Sequence, residues 1–170
     1  QYEKMFNKAV EYLLKYKETI LKVLGNGDVV YGEYLSSPKH NALSYTRVPK
    51  NNIIVFGVKK GLNFVESYDD IVKIANELDL ETVPLLYKGE VLTAEFVKEL
   101  IAGNISVLGE QIVEGVVVKN YRQHTSIGDP TICMGKYVRE EFKELNHKSW
   151  AGKTESNDLQ QFIEGFRSEN

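Results

Sequence analysis

The chain has 170 residues, of which 42% are hydrophobic and 26% are charged, and its formal net charge is −3. This length suits one domain with a substantial core, and the negative charge argues against a protein coated in nucleic acid. Residues 1–24 are too charged for a signal peptide, and no apolar run reaches the roughly 18 residues of a membrane span. The single cysteine, Cys133, excludes an internal disulfide, so we expect a cytoplasmic protein without membrane attachment.

Negative charge is concentrated in residues 66–101, a segment with nine acidic residues and three lysines. This segment carries a charge of −6, which leaves +3 for the rest of the chain. A polyanionic ligand would avoid the acidic segment, but the same charges could equally be the solvated faces of two helices. The sequence leaves both interpretations open.

The first predicted element is a helix, in which apolar residues recur at three- and four-residue steps from Phe6 to Leu24. Gly25 follows as a predicted C-cap. No N-cap precedes this helix and the chain does not begin with Met. We therefore expect the N-terminal part of the protein to be missing from this sequence.

A turn at residues 25–28 and a strand at 29–35, VVYGEYL, are expected next. The turn contains a G-x-G sequence, but no third glycine follows at the right spacing and a helix precedes it. A dinucleotide-binding fingerprint requires the order strand, glycines, helix. The sequence therefore excludes that type of site here.

Polar residues and two prolines predict a loop over 36–51, followed by a strong strand at 52–58. A short helix is expected at 68–79, with Ser67 as its N-cap. The stretch TVPLLYKGEVL, residues 82–92, predicts a strand and a turn.

A second short helix is predicted from Ala94 to Ala102, capped by Thr93 and closed by Gly103. The run EGVVVK, at 114–119, predicts a buried strand because three β-branched residues follow one another.

After a loop at 122–131, a last strand is expected around Ile132–Val138. Asn157 could cap a final amphipathic helix with Leu159, Phe162, Ile163 and Phe166 on its apolar face. The elements do not alternate strictly, so we predict an α+β fold with mostly antiparallel sheets and flanking helices.

Several predicted strands carry charged or aromatic residues where a buried sheet would prefer aliphatic ones. They are Glu33 after Gly32, Phe56, the strand-terminal pair Glu114 and Lys119, and Lys136 and Arg139 near the last strand. An aromatic face stacks on a purine, carboxylates accept from ribose hydroxyls or hold Mg²⁺, and lysines neutralise phosphates. The set predicts a site for a nucleoside triphosphate. Individually, an interior phenylalanine is usually core and a strand-terminal charge usually guards a solvated edge.

The same strands resemble motifs of the covalent nucleotidyltransferases, which comprise ATP-dependent DNA ligases, RNA ligases and mRNA capping enzymes. YGEYL is similar to motif III, IIVFGV to motif IIIa, EGVVVK to motif IV and GKYVREEFKE to motif V. The intervals also fit, with 23 residues from Glu33 to Phe56 and 22 from Glu114 to Lys136. The chain is most similar to RNA ligases of the second phage type, which include the trypanosome RNA-editing ligases, over about residues 5–150.

This resemblance implies a role for each residue. Glu33 would bind the ribose and Phe56 would stack on adenine. Glu114 would hold the catalytic metal, whereas Lys119 and Lys136 would contact the phosphates. Glu114 and the two lysines are therefore the expected catalytic residues.

The resemblance implies an ATP-dependent RNA ligase, for example in RNA repair, that acts as a monomer on RNA ends. An enzyme lysine would attack the α-phosphate of ATP, AMP would pass to a 5′-phosphate, and a 3′-hydroxyl would displace it. The implied cofactors are ATP and Mg²⁺ or Mn²⁺, and a phage-encoded enzyme would act in the host cytoplasm. Residues 1–150 would be part of the adenylation domain, of the ATP-grasp-like ligase type, and residues 151–170 an extension or the start of a further segment.

The chain departs from the family pattern in three places. Motif I, lysine-x-aspartate-glycine, which supplies the lysine nucleophile, does not occur. We expect it upstream, and we expect the chain to be inactive alone. Gly57 stands where many relatives have aspartate, and Val138 stands where motif V usually has a second lysine. Phosphate contact could move to Arg139.

Strand geometry raises a question about motif IV. Glu114 and Lys119 are five residues apart, so a regular strand would direct them to opposite faces. If both serve one ligand, either Gly115 forms a bulge or Glu114 lies just before the strand.

The sequence leaves other functions open. The chain could be a non-catalytic nucleotide- or nucleic-acid-binding module of the same fold that lacks the lysine, or a DNA ligase or capping-type relative. The loop residues Lys39, His40, Arg47 and Lys50 could grip a nucleic-acid end.

Overall fold

The computed structural model describes residues 2–40, 43–90, 92–124, 132–139 and 163. These residues form two compact units. The first contains the described residues up to 85 together with 107–109, and the second contains the remaining described residues. Helices and mainly antiparallel strands are combined, which confirms the predicted α+β class. The predicted boundary at residue 150 lies outside the described residues.

Three helices open the first unit, where the sequence predicts a single one. They are α1 (Tyr2–Met5), α2 (Asn7–Lys15) and α3 (Lys17–Val23). Leu24, in an extended conformation, caps α3. The predicted C-cap at Gly25 is therefore wrong, and the left-handed residue of the following turn is Gly27, with φ of 88°.

The two breaks between these helices lie at aromatic residues with tertiary contacts. The ring centroid of Phe6 is 5.4 Å from that of Tyr34, and the Tyr16 hydroxyl donates to the Asp79 carboxylate. Tertiary packing here overrides a continuous helical pattern, as it often overrides local propensity.

The described part of the first unit contains six strands. They are β1 (Val29–Tyr34), β2 (Lys39–His40), β3 (Leu43–Ser44), β4 (Ile53–Lys60), β5 (Asn63–Phe64) and β6 (Glu81–Thr82). The main sheet has the order β1-β4-β5, all antiparallel, and β6 joins β4 in parallel. β2 and β3 form a separate hairpin.

The structure corrects three of the expectations for this part of the chain. The predicted loop at 36–51 contains β2, β3 and the start of a 3-10 turn at Lys50–Asn52. β5 is an addition to the predicted elements, because two residues are too few for a periodic pattern. The strand expected within 82–92 is limited to Glu81–Thr82, since Pro84 has no backbone donor for a ladder.

Helix α4 (Tyr68–Glu77) begins as predicted, because the Ser67 side chain accepts a hydrogen bond from the Asp70 amide at 3.3 Å. It ends before Asp79, whose φ of 60° is left-handed. Its apolar face covers the sheet in a core of eight buried residues: Tyr12, Val55, Val58, Ile71, Ile74, Ala75, Leu78 and Leu80. The Tyr12 hydroxyl donates to the Leu78 carbonyl at 2.7 Å, so this buried polar group is satisfied.

The second unit contains α5 (Ala94–Gly103), β7 (Gly115–His124) and β8 (Ile132–Val138). The Thr93 hydroxyl caps α5 as predicted, by accepting from the Phe96 amide at 3.2 Å. β7 is longer than predicted and includes part of the expected loop. The core of this unit comprises Ala94, Val97, Ile101, Tyr137 and Ile163.

The predicted final helix lies outside the described residues except for Ile163, which is helical and buried. None of the helices in the described part of the chain combines the length and apolar character needed to cross a membrane.

Candidate functional site

Phe56 occupies a β-bulge in β4. Tyr31 lies opposite Gly57 and Gly32 lies opposite Val55, so the β1–β4 register skips Phe56. A bulge shifts the alternation of side chains by one residue and re-aims the side chain at the bulge. Phe56 is accordingly 39% exposed, although Val55 before it and Val58 two residues after it are fully buried.

Glu33 lies on the sheet face that points away from the core. Val30 packs against the core, and alternation along β1 therefore directs Tyr31 and Glu33 to the opposite side. We call this side, defined by Val29, Tyr31 and Glu33, the outer face. Glu33 is exposed and lies opposite Ile54, which is two residues from Phe56 in β4.

Two more aromatic rings accompany Phe56 on the outer face. The Tyr31 ring centroid is 6.3 Å from that of Phe56 and 5.8 Å from that of Phe64, which it meets in a stacked arrangement. Lys59 is the ladder partner of Phe64, and its Nζ lies 5.8 Å from the centre of that ring. Three rings and one ammonium group therefore form a cluster on the outer face.

The two motif lysines of the second unit share one face of the β7–β8 hairpin. Val117 lies opposite Lys136, and Lys119 lies opposite Met134. Opposed residues of a ladder point to the same side, as do residues two apart. Lys119 and Lys136 are consequently diagonal neighbours, and the exposed side chains of Val117 and Met134 lie on the same face.

Glu114 lies just before β7, which is the second of the two arrangements considered for motif IV. Its Oε1 is 3.8 Å from Nζ of Lys136, and its backbone oxygen accepts from the Arg139 amide at 3.0 Å. The register is regular from Gly115 to Asn120, so Gly115 does not form a bulge. Glu114 thus reaches the face that carries both lysines.

Gly115 is required by the close approach of the two strands. A Cβ atom at this position would overlap the carbonyl oxygen of Tyr137. The glycine of EGVVVK therefore permits the strand pairing that sets the positions of Glu114 and Lys136.

Burial changes the chemistry of Lys119. Its side chain is half-buried, and the resulting loss of solvation lowers the pKa of its ammonium group. An anionic ligand near this face would be stabilised more strongly by Lys119 than by a fully hydrated lysine.

Comparison with known families decides the class of protein. The model of the RNA ligase family matches residues 1–138, which is most of the chain. The chain belongs to the RNA ligase family. This membership supports a general RNA ligase function. Comparisons with curated proteins and with solved structures gave no match.

Glu114 is the carboxylate that the sequence analysis assigns to a magnesium ion. No group of three or more His, Cys, Asp or Glu side chains in the described part of the chain could hold a metal. Magnesium, however, often binds through one or two carboxylates, substrate phosphates and several waters. The Glu114 side chain, 26% exposed, can provide one such carboxylate.

The sequence suggests that Arg47 and Lys50 could contact a nucleic-acid end. In the structure both side chains form ion pairs with carboxylates. Arg47 makes a bidentate ion pair with Glu81, with both distances at 2.8 Å. Lys50 pairs with Asp79, whose backbone oxygen also accepts from Asn51 at 2.8 Å. Binding a phosphate would require these pairs to open, so we do not assign Arg47 and Lys50 to RNA.

These ion pairs line a cavity of about 390 Å³ in the first unit. The positive charges of Arg47 and Lys50 cancel the negative charges of Glu81 and Asp79 within this cavity. The nearby residues Asn51, Asn52 and Asp79 have left-handed backbone conformations. Asparagine and aspartate tolerate this conformation better than other side chains. The cluster connects the loop before β4 to the end of α4, which is a structural role.

The sequence indicates Glu33, Phe56, Glu114, Lys119, Lys136 and Arg139, but it misses Tyr31, Lys59 and Phe64. Alternation along VVYGEYL could have placed Tyr31 beside Glu33. The positions of Lys59 and Phe64 require β5, a strand too short to leave a pattern. The structure brings Glu33 and Phe56 onto adjacent strands of one sheet. Lys119 and Lys136 lie on the strands of the β7–β8 hairpin, and Glu114 and Arg139 lie directly beside its ends.

Proposed function

We propose that this chain is part of an ATP-dependent RNA ligase of the second phage type, which joins a 5′-phosphate to a 3′-hydroxyl. The observation that carries this proposal is the shared face of Lys119 and Lys136, with Glu114 3.8 Å from Lys136. Two cations beside one carboxylate match the needs of a polyphosphate bound together with a divalent cation.

Lys119 and Lys136 would hold the phosphates of ATP, and Arg139 is a further candidate for this contact. The lysines stabilise negative charge that develops on the phosphate oxygens during nucleotidyl transfer. The lowered pKa of Lys119 reflects partial removal from water, and charge–charge attraction is stronger in such surroundings.

Phe56 would stack on adenine, and Glu33 would accept hydrogen bonds from the ribose hydroxyls. The partial exposure of Phe56, 39%, supports the first assignment, because an aromatic side chain that solvent reaches can also be reached by a base. The exposed position of Glu33, on the outer face of the neighbouring strand, supports the second.

The reaction would follow three steps in a protein that includes the motif I lysine. The neutral amine of that lysine attacks the α-phosphorus of ATP, forming a P–N bond and releasing pyrophosphate. A 5′-phosphate oxygen of RNA then displaces the lysine and forms a phosphoanhydride with AMP. Finally, the 3′-hydroxyl of the other RNA end attacks this 5′-phosphate and releases AMP. When bound at Glu114, Mg²⁺ would neutralise phosphate charge.

Calorimetric titration of the 170-residue chain with ATP in the presence of Mg²⁺ tests the nucleotide assignment. Stacking on an aromatic side chain contributes about 1–3 kcal/mol, so Phe56→Ala should weaken ATP binding roughly 5- to 150-fold. Leu62→Ala is the control, because Leu62 is apolar and 72% exposed in the β4–β5 turn. Unchanged ATP affinity in a folded Phe56→Ala protein would contradict the proposal.

A non-catalytic nucleotide-binding module, or a DNA ligase or capping-type relative, is the competing interpretation. Adding 5′-phosphorylated RNA or DNA with a 3′-hydroxyl acceptor to a version of the protein that carries the motif I lysine separates them. A sealed RNA product supports the ligase, whereas ATP binding without any product supports the module.

A further inference from the structure

The outer face carries an aromatic surface that the nucleotide assignment does not use. Phe56 is assigned to adenine, but the stacked pair of Tyr31 and Phe64 is a second surface beside it. Tyr31 belongs to β1 and Phe64 to β5, on opposite sides of β4.

The two rings meet across the central strand, which has a glycine at the position paired with Tyr31. Strands separated by one other strand lie roughly 10 Å apart, yet the centroids of Tyr31 and Phe64 are only 5.8 Å apart. Tyr31 is paired with Gly57, and Phe64 with Lys59, two residues further along β4. Position 57, the ladder partner of Tyr31, is a glycine and has no side chain.

Positive charge accompanies this ring pair. Nζ of Lys59 lies 5.8 Å from the centre of the Phe64 ring, and residues 53–65 include two lysines and no acidic residue. Glu33, which is on the same face, lies four residues along β1 from Val29, the partner of Lys59. That spacing corresponds to roughly 13 Å, so the carboxylate does not cancel the Lys59 charge at short range.

The surroundings of the rings remain accessible to a ligand. Val29 is 40% exposed and Phe56 is 39% exposed. Tyr31 and Phe64 are half-buried, as expected for rings that support each other at one side and face solvent at the other. Aromatic rings with an adjacent cation are the usual elements of surfaces that bind single-stranded nucleic acid.

We propose that Tyr31, Phe64 and Lys59 form a subsite for single-stranded RNA, in which a nucleobase stacks on the ring pair and Lys59 contacts the neighbouring phosphate. The inference rests on the proposed function, since RNA is the substrate of the ligase. Because every base has a π-face, such a subsite holds an RNA strand without selecting its sequence.

Fluorescence anisotropy of the 170-residue chain with a labelled single-stranded RNA hexanucleotide, without ATP, tests the subsite. Phe64→Leu keeps an apolar side chain but removes the π-face, and it should weaken RNA binding about tenfold. Lys59→Gln should reduce the slope of log K against log salt concentration by about 0.7, the value for one phosphate contact on a single strand.

Lys60→Gln is the matched control, because Lys60 is exposed and alternation directs it away from the outer face. It should leave the salt slope unchanged. Equal slopes for the two lysine variants, RNA binding by Phe64→Leu at the wild-type level, or no RNA binding by the wild type would each overturn the subsite. If Phe64→Leu does not fold, the comparison of the salt slopes of Lys59→Gln and Lys60→Gln decides whether the subsite binds RNA.

The result is independent of the ATP experiment. If Phe56→Ala loses ATP binding while the Phe64 and Lys59 variants bind RNA normally, only the subsite fails. If the wild type binds no ATP but RNA binding depends on Phe64 and Lys59, the subsite stands and the ATP-dependent ligase fails.

Discussion

Glu114 and Lys136 form an ion pair, although Glu114 precedes β7 and Lys136 lies within β8. Their oxygen and nitrogen atoms are 3.8 Å apart. The pairing depends on Gly115, whose lack of a side chain allows β8 to approach the start of β7. The Glu114 carboxylate and the Lys136 ammonium group therefore lie on the same face of the β7–β8 hairpin as Lys119.

We predict that ATP binding depends on both members of this pair. A hydrogen bond to a charged group contributes about 1.5–3 kcal/mol, so Lys136→Ala should weaken ATP binding about 10- to 150-fold. Glu114→Gln should remove the stimulation of ATP binding by Mg²⁺, because the metal ligand is lost. Calorimetry with and without Mg²⁺ measures both effects.

Lys98→Ala and Glu110→Gln are the controls, since both residues are exposed and belong to the same unit. ATP binding by Lys136→Ala that equals that of Lys98→Ala would contradict the phosphate assignment. A Mg²⁺ effect retained in Glu114→Gln would contradict the metal assignment.

We also predict that the 170-residue chain forms no covalent adduct with AMP. No lysine-x-aspartate-glycine sequence is present, and an ordinary lysine with a pKa of about 10.4 is mostly protonated at neutral pH. Lys59 and Lys60 follow the Phe56 strand but have no such motif around them. After incubation with α-labelled ATP and Mg²⁺, no label should survive denaturation. Stoichiometric label would show that another nucleophile exists in this chain.

Gly115→Ala should destabilise the second unit. The added methyl group would overlap the Tyr137 carbonyl oxygen, and crowding of this kind costs about 1–3 kcal/mol. Thermal unfolding followed by circular dichroism measures the loss. Gly103→Ala is the matched control, because a Cβ there has no atom within 4 Å. That variant should be as stable as the wild type or up to about 1 kcal/mol more stable. Equal stability of the two alanine variants would refute the close approach.

Protonation of Asp79 should account for part of the loss of folding stability at acid pH. Hydrogen bonds from Lys50 and Tyr16 lower its pKa from 3.8 to about 2. Since the folded pKa is below the ordinary value, the carboxylate stabilises the fold above about pH 4, and this contribution is lost as the pH falls towards 2. Asp79→Asn should therefore lower the Tm at neutral pH and reduce the dependence of Tm on pH between 4 and 2.

Asparagine is suitable at position 79 because it tolerates the left-handed backbone, with φ of 60°. Glu99→Gln, which neutralises an exposed carboxylate in α5, is the control and should keep the wild-type dependence. Part of the dependence will remain in Asp79→Asn, because the guanidinium of Arg47 also lowers the pKa of Glu81. A Tm profile of Asp79→Asn that matches the wild type would refute the assignment.

Several local elements of this protein can be predicted from its sequence. Ser67 and Thr93 both act as N-caps where they are expected, and β8 spans Ile132–Val138 as expected. These features depend on contacts between residues that are close together in the chain, so the order of residue types is enough to predict them. The strand motifs likewise resemble those of RNA ligases, and the match to the RNA ligase family agrees with that resemblance.

The tertiary structure alone decides how the strands align. The skipped position of Phe56, the shared face of Lys119 and Lys136, and the meeting of Tyr31 and Phe64 above Gly57 all depend on register between strands. Alternation within one strand shows which residues share a face, but the register also depends on which distant segment pairs with that strand. The breaks at Phe6 and Tyr16 have the same origin, because ring contacts with Tyr34 and a hydrogen bond to Asp79 outweigh the continuous helical period.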